Sequence, residues 1–433
     1  MFYSFLLTEK VTVQRFYFTM ITLLKNPSQI VTVNGNGKNY KRGKEMNDIS
    51  VITNHSLLIE EDRIKDIVKN SLLPTIKFDN EIDLKDKIVL PGLVECHTHT
   101  AYAGSRAEEF KLKLQGINYE EIAKRGGGIT NTMTAVRQSS FDELIKIISP
   151  RIEYFISQGI TSLEIKSGYG LSFYDEIKLL QVIKELDKKF AIDIIPTFLG
   201  AHTFPPEYKN DNQRYIELLT DELIPYIAEH NLAVFCDVFC ETTAFSAKQT
   251  EHIFKIANYN GLKLKLHTEQ FNSIGGLEVA LKMNAISADH LEVLNDAQIG
   301  LFRNSNTTAV LLPGVSFFLN YNYAPARKLI NGDAVVALAT DYNPGSSHIA
   351  NFQLIMSLAA IKMNMTIEEI ITAVTLNAAN ALGISDSIGS IEIGKKADFA
   401  VFDATDYSDI VYNIGKNLNV LTIKNGKVIY EKK

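Results

Sequence analysis

His97 and His99 close the apolar run Lys87-Ile88-Val89-Leu90-Pro91-Gly92-Leu93-Val94-Glu95-Cys96. On a strand, side chains two residues apart share one face, so both imidazoles can reach one metal ion from the strand's mouth. Neutral imidazole binds zinc and iron. Further along, His267 ends the apolar segment that starts at Leu262, His290 ends the one from Ala285, and Asp341 ends the one from Val335. His97, His99, His267 and Asp341 can converge on one ion. Three histidines and a carboxylate leave a coordination position open for water, as a catalytic site requires. A metal there lowers the water's pKa towards ~7. Asp341 can accept the water's proton. His290 can stand beside the open position and polarise a carbonyl or stabilise charge on its oxygen. Strand alternation would turn its neighbour Asp289 away. A carboxylated Lys166 could bridge a second ion, but the segment around Phe235 offers Cys236, Asp237 and Cys240 and no lysine. The reading is therefore one metal per chain, zinc or iron, since imidazole and carboxylate suit both.

These residues need a frame that gathers strand ends. Eight apolar, strand-length segments follow one another: the run ending at His99, then 161–166, 192–199, 233–239, 262–267, 285–290, 308–312 and 335–341. Amphipathic helical stretches, such as Tyr174 to Leu186 and Gln249 to Ala257, lie between them. Eightfold strand–helix alternation predicts an α/β fold, a (β/α)8 TIM-type barrel, with a doubly wound sheet as the alternative. Five of the nine histidines and Asp341 fall at or just past strand C-termini, the face where such barrels carry their sites. Of the other four, His348 follows the eighth strand and can approach the site. Residues 20–86 read as short strands and turns, with a hairpin over Ser56–Val68. The C-terminus has the same character, with a hairpin on Asn425-Gly426. Neither end holds a core alone. The expected organisation is a dispensable leader over 1–19, a small composite β-sandwich domain from 20–86 plus 393–433, and a barrel over 87–392.

Composition narrows the function classes. The apolar fraction is 46% and the net charge −6, which argues against nucleic-acid or membrane-surface binding. No apolar run reaches the ~18 residues of a membrane span. The apolar N-terminus lacks a basic leader and a small-residue cleavage site, against a secretory signal. Three cysteines without a Cys-x-x-Cys pair fit a reduced, cytoplasmic setting. The Gly126-Gly127-Gly128 run lacks a following Lys-Ser/Thr and is not a phosphate loop; it reads as a turn that starts a helix at Thr130 or beyond.

The segment Pro91-Gly92-Leu93-Val94-Glu95-Cys96-His97-Thr98-His99 resembles the opening motif of the amidohydrolase superfamily. Within it, the chain resembles the imidazolonepropionase family through Gly104-Ser105-Arg106 with Glu108-Glu109-Phe110, Gly126-Gly127-Gly128-Ile129, Lys166-Ser167-Gly168-Tyr169-Gly170, Leu199-Gly200-Ala201-His202, Ala288-Asp289-His290-Leu291-Glu292 and Thr340-Asp341-Tyr342-Asn343-Pro344-Gly345-Ser346. The similarity runs from about Met20 to the C-terminus. It implies hydrolysis of 4-imidazolone-5-propanoate, a small anionic substrate, to N-formimidoyl-L-glutamate in histidine breakdown, by a homodimer. Arg106 can hold the propionate through two parallel N–H donors, with an ion pair to Glu108 or Glu109 as the competing role. Tyr169 can donate its hydroxyl, and His202 can contact the ring. Asn343, Gly345 and Ser346 can offer amide, backbone and hydroxyl groups. Related deaminases carry a glutamate three residues after the His267 position; this chain has Gln270, which can bond the ring but not shuttle a proton. Glu269 would point to the other face, which leaves proton transfer to Asp341 and His290. The competing readings are another mononuclear amidohydrolase or deaminase of small cyclic amides, and a barrel without catalysis that serves in assembly.

Overall fold

The computed structural model describes residues 19–117 and 128–433. Residues 1–18 of the expected leader 1–19 and Gly126-Gly127 of the glycine run lie outside the described residues; Gly128 is the N-cap of the helix Ile129–Gln138. The strands, in chain order, are β1 Ile21–Lys25, β2 Gln29–Val31, β3 Val51–Ile52, β4 His55–Glu60, β5 Arg63–Lys69, β6 Asn80–Asp83, β7 Ile88–Pro91, β8 Leu93–Glu95, β9 Ile160–Lys166, β10 Asp193–Ala201, β11 Phe235–Cys240, β12 Lys263–Thr268, β13 Ser287–His290, β14 Thr308–Leu311, β15 Val336–Leu338, β16 Phe399–Phe402, β17 Asn419–Lys424 and β18 Lys427–Glu431.

Strands β8 to β15 pair in sequence order, all parallel, as an eight-stranded sheet. Their burial is nearly continuous, and every residue of β9 is buried. That is the signature of parallel strands covered on both faces. The sheet curls until its edges meet. Asp341 N donates to His97 O at 3.1 Å, and His99 N donates to Tyr342 O at 3.0 Å. The eight strand segments read from the sequence each contribute one of these strands, and the two helical stretches lie inside the helices Phe173–Lys189 and Ala247–Tyr259. A capping box of Ser246 and Gln249 starts the second of these.

The first run differs from expectation. It is not one barrel strand but two strands in two sheets. β7 pairs antiparallel with β16 and parallel with β2, outside the barrel, and only β8 enters the barrel beside β9. Gly92 makes the crossing, because a Cβ there would collide with the Thr161 side chain. An uninterrupted apolar pattern carries no mark of this transfer, since both sheets bury the strand.

The remaining strands form a four-stranded sheet, β5-β4-β1-β6, and a six-stranded sheet, β18-β17-β16-β7-β2-β3. Leu24, Ile59 and Ile64 from the first pack with Val89, Phe399, Val401 and Ile423 from the second in one core. The six-stranded sheet joins the two ends of the chain; the four-stranded sheet comes from the N-terminal segment alone. Asn425 and Gly426 both take positive φ, 49° and 74°, as the tight β17–β18 turn requires. No helix among the described residues is long and apolar enough to cross a membrane.

Candidate metal centre and active site

The barrel closure that joins β8 to β15 also assembles the metal ligands. His97 and His99 follow β8, and Asp341 follows β15 with φ 49°, its backbone bonded to His97. His97 Nε2 lies 3.4 Å and His99 Nε2 3.2 Å from Asp341 Oδ1. His267, on β12, brings its Nε2 to 3.3 Å from His99 Nε2. Ligands bound at 2.0–2.2 Å to one ion stand roughly 3–3.6 Å apart, and these separations fall in that range. Among the described residues, the buried His97 Nε2 and Asp341 Oδ1 have no hydrogen-bond partner. A buried polar atom left unpaired is costly, and a cation at the centre of the four would satisfy both. The residues fit a single divalent ion.

Beneath the four lies a floor of buried charge. Asp289 Oδ2 is 2.6 Å from His97 Nδ1, and Asp237 Oδ1 is 3.0 Å from His267 Nδ1. Each carboxylate accepts the Nδ1 proton and so directs the Nε2 lone pair upward, the usual support for a metal-bound imidazole. Lys166 Nζ donates to Asp237 at 2.8 Å and to Glu164 at 3.0 Å. Lys265 Nζ donates to Glu164 at 3.0 Å and to Cys96 O at 2.8 Å. Burial works against ionisation of Asp289, but Lys265 and His97 overcome it and hold the carboxyl below its ordinary range. The Lys166 ammonium is held by these acids, which fits a structural cation and one metal rather than a bridge to a second.

Asp289 thus departs from the expectation that it turns away from the site. It points into the barrel under His97. Its neighbour His290 reaches the site too, because the chain leaves regular strand geometry there, with φ 83° at His290 and 72° at Leu291. Period-two alternation applies only while the backbone stays extended. Ring nitrogens of His97, His267 and His290 lie within 4.8 Å of one another, so His290 borders the metal centre. Asp289→Asn, which keeps the shape and loses the carboxylate, should weaken metal binding roughly 10–100-fold. Competition against a chromogenic chelator measures this, and unchanged affinity would remove Asp289 from the support of His97.

Above the cluster opens a cavity of about 520 Å³, with His99, His267, His290 and Asp341 at its base. Arg106, Tyr169, His202, Gln270, Asn343, Gly345 and Ser346 all line it, so every site residue read from the sequence except the enclosed ligand His97 reaches its wall. Arg106 Nε donates to Glu109 Oε2 at 2.8 Å, while among the described residues its two terminal nitrogens have no acceptor. Glu109 therefore orients the guanidinium and leaves its outer donors for a ligand. Gly345 must be glycine for this pose, since a Cβ would collide with Arg106 Nη1. His202 Nδ1 donates to Gly168 O at 2.9 Å, and its ring stacks on His99 with centroids 5.3 Å apart. Burial, reinforced by His99, pushes its pKa down to about 3, so the ring is neutral and Nε2 can accept. Burial raises the Tyr169 pKa, which keeps its hydroxyl a donor.

The Asn343 loop looks inward more than its composition suggests. Asn343 Oδ1 accepts from Gly345 N at 2.8 Å and Ser346 N at 2.7 Å, and Nδ2 donates to Asp341 O at 2.7 Å. These groups shape the wall beside Asp341. Glu269 sits behind the site with φ 55°, accepting from Leu277 N at 3.3 Å. His348 packs against Tyr102, its Nε2 3.0 Å from the phenol oxygen, and does not line the cavity. The sequence reading assigned no role to Asp237, Lys265, Phe239 or Glu292. A count of inward-facing positions along the barrel strands would have found the first two. The same count carries on from Asp237 to Phe239, two residues further along β11, whereas Glu292 lies past the end of β13 and depends on how the chain turns there.

A family model described as "Amidohydrolase family" matches residues 88–429. An imidazolonepropionase of Alkaliphilus oremlandii (strain OhILAs) is 43% identical over 413 residues, covering 94% of this chain and 98% of that protein. An imidazolonepropionase of Caldanaerobacter subterraneus subsp. tengcongensis is 46% identical over 375 residues, 87% of this chain and 90% of the other. Among solved structures, an adenosine deaminase from Xanthomonas campestris with bound zinc superposes with a TM-score of 0.70 at 17% identity, covering 95% of this chain and 93% of that one. An atrazine chlorohydrolase from Arthrobacter aurescens, in complex with zinc, gives 0.67 at 15% identity, over 95% of each chain. At such identities the two structures speak for the fold alone. The near-full-length identity above 40% carries the closer assignment: the chain belongs to the imidazolonepropionase family of the amidohydrolases, mononuclear metal-dependent hydrolases of cyclic amide C–N bonds.

Proposed function

We propose that the protein opens the ring of 4-imidazolone-5-propanoate to N-formimidoyl-L-glutamate. The observation that carries this reading is one cavity with the His/Asp cluster at its base and Arg106, its outer donors without an acceptor among the described residues, on its wall. That pairing suits a small ring with a carboxylate tail. Arg106 binds the propionate through its two terminal nitrogens. Tyr169 donates to the substrate, the neutral His202 ring lies along it, and Gln270 hydrogen-bonds the ring. Asn343, Gly345 and Ser346 form the wall on which the tail rests. A zinc or iron ion held by His97, His99, His267 and Asp341 would polarise the ring carbonyl and acidify a water. Asp341 takes the attacking water's proton at Oδ2, the oxygen not directed at His97 and His99, and passes it to the ring nitrogen that departs as the C–N bond breaks. His290 stabilises the charge that grows on the carbonyl oxygen through Nε2. A deaminase reading is disfavoured by Gln270, which leaves no carboxylic acid at the position that would protonate a leaving amine.

Loss of imidazolone absorbance with the authentic substrate tests the assignment; metal-loaded protein without turnover would overturn it. His290→Asn should keep its metal and lose on the order of 10²-fold in kcat. A metal-free variant would make His290 a ligand instead. The same reading includes a homodimer acting in the cytoplasm, without nucleic-acid or membrane partners, and a division into a barrel, a two-ended β-domain and a dispensable leader over 1–19.

A further inference from the structure

Glu292 is a buried ionisable side chain beside the site that the mechanism above leaves unused. It follows β13 by two residues, inside the turn that brings His290 to the cavity. Both of its carboxyl oxygens are buried and, among the described residues, have no hydrogen-bond partner. Its Oε1 lies 3.5 Å from His290 Nδ1, and that nitrogen is likewise buried without a partner. Leaving three such atoms unpaired costs far more than turning one side chain by a few tenths of an ångström. The contact is slightly long for a direct hydrogen bond, and a small rotation of either side chain closes it. Nδ1 is sealed in, so Nε2 is the ring nitrogen left to the cavity that His290 lines. The backbone here supports the same arrangement. Two successive non-glycine residues with positive φ, His290 and Leu291, form a costly bend. Beyond that bend the Glu292 carboxyl lies against the Nδ1 side of the imidazole. Burial raises the Glu292 pKa, His290 draws it down, and the nearby Asp341 adds to the rise.

We propose that Glu292 is the positioning residue of His290: it holds the imidazole through Nδ1 and so fixes the ring with Nε2 facing the reacting carbonyl. The proposal rests on the role given to His290 above. It accounts for a glutamate in a pocket that otherwise offers it nothing, in a chain whose Gln270 cannot serve as an acid. Hydrophobic replacement removes a buried carboxyl and leaves one imidazole nitrogen without its partner, two effects that oppose each other in the stability of the fold.

The test compares Glu292→Met, Glu292→Gln and His290→Asn in the metal-loaded protein. Glu292→Met should keep its metal content, KM and Tm, and lose about 10–100-fold in kcat. Glu292→Gln retains a hydrogen-bonding group at the same reach and should recover kcat to within about tenfold of the parent. The imidazole 15N signals that vanish in His290→Asn should report one tautomer in the parent and a mixture in Glu292→Met. An unchanged kcat in Glu292→Met, with His290→Asn inactive, overturns the positioning role while His290 keeps its own. Activity retained in His290→Asn overturns the reading of His290 itself. Loss of metal or a large fall in Tm in both Glu292 variants would make Glu292 a structural residue, against the proposal. A Glu292→Gln variant as slow as Glu292→Met would overturn orientation as the role.

Discussion

His267→Ala should yield a folded protein without metal and without turnover. His267 enters from β12, on the far side of the centre from the β8–β15 seam that supplies the other three ligands. Its Nε2 stands 3.3 Å from His99 Nε2, and Asp237 backs it at 3.0 Å. Truncation opens the coordination set on that whole side and leaves two histidines and one carboxylate, all from one wall. It also strands the Asp237 carboxylate with Lys166 as its remaining close partner. Metal analysis of the purified variant, beside the imidazolone assay, measures the result. Full metal content would refute the ligand set, whatever the activity.

Arg106→Ala should leave metal content untouched and cost roughly 2–5 kcal/mol in kcat/KM, the scale for truncating one partner of a desolvated charge pair. The guanidinium is already oriented by Glu109 at 2.8 Å and shaped against by Gly345. Little ordering remains for binding, so the contact with a substrate carboxylate is largely preorganised. The loss should shrink when the substrate lacks its carboxylate, because both missing partners belong to the same contact. A near-native kcat/KM for Arg106→Ala would reduce the residue to the ion pair with Glu109 that its position also allows.

Much of this was legible from residue order. Eight apolar segments separated by helical stretches define a barrel because a parallel strand needs a helical return, and their periodicity survives any detail of packing. The placement of His97, His99, His267, His290 and Asp341 at segment ends was readable for the same reason, since strand C-termini share one face of a barrel. The hairpin on Asn425-Gly426 was local chemistry, a pair of residues that tolerate positive φ.

What the sequence by itself determined, then, is which residues stand at the mouth of the barrel and the chemistry open to them. The tertiary structure decided what stands beneath and behind them. Asp289 under His97, Asp237 under His267 and the Lys166 and Lys265 ammoniums between them come from four different strands, and no spacing along the chain encodes contacts between strands. Glu292 stands behind His290 past a strand end where the backbone turns through positive φ, a turn that no pattern along the chain announces. The transfer of β7 out of the barrel was hidden in the same way. Burial on two faces looks alike in either sheet, and one glycine passing close to Thr161 made the difference. Patterns along a chain report local geometry and burial; pairing across the fold follows from closure of the barrel, which brings into contact residues far apart in the chain.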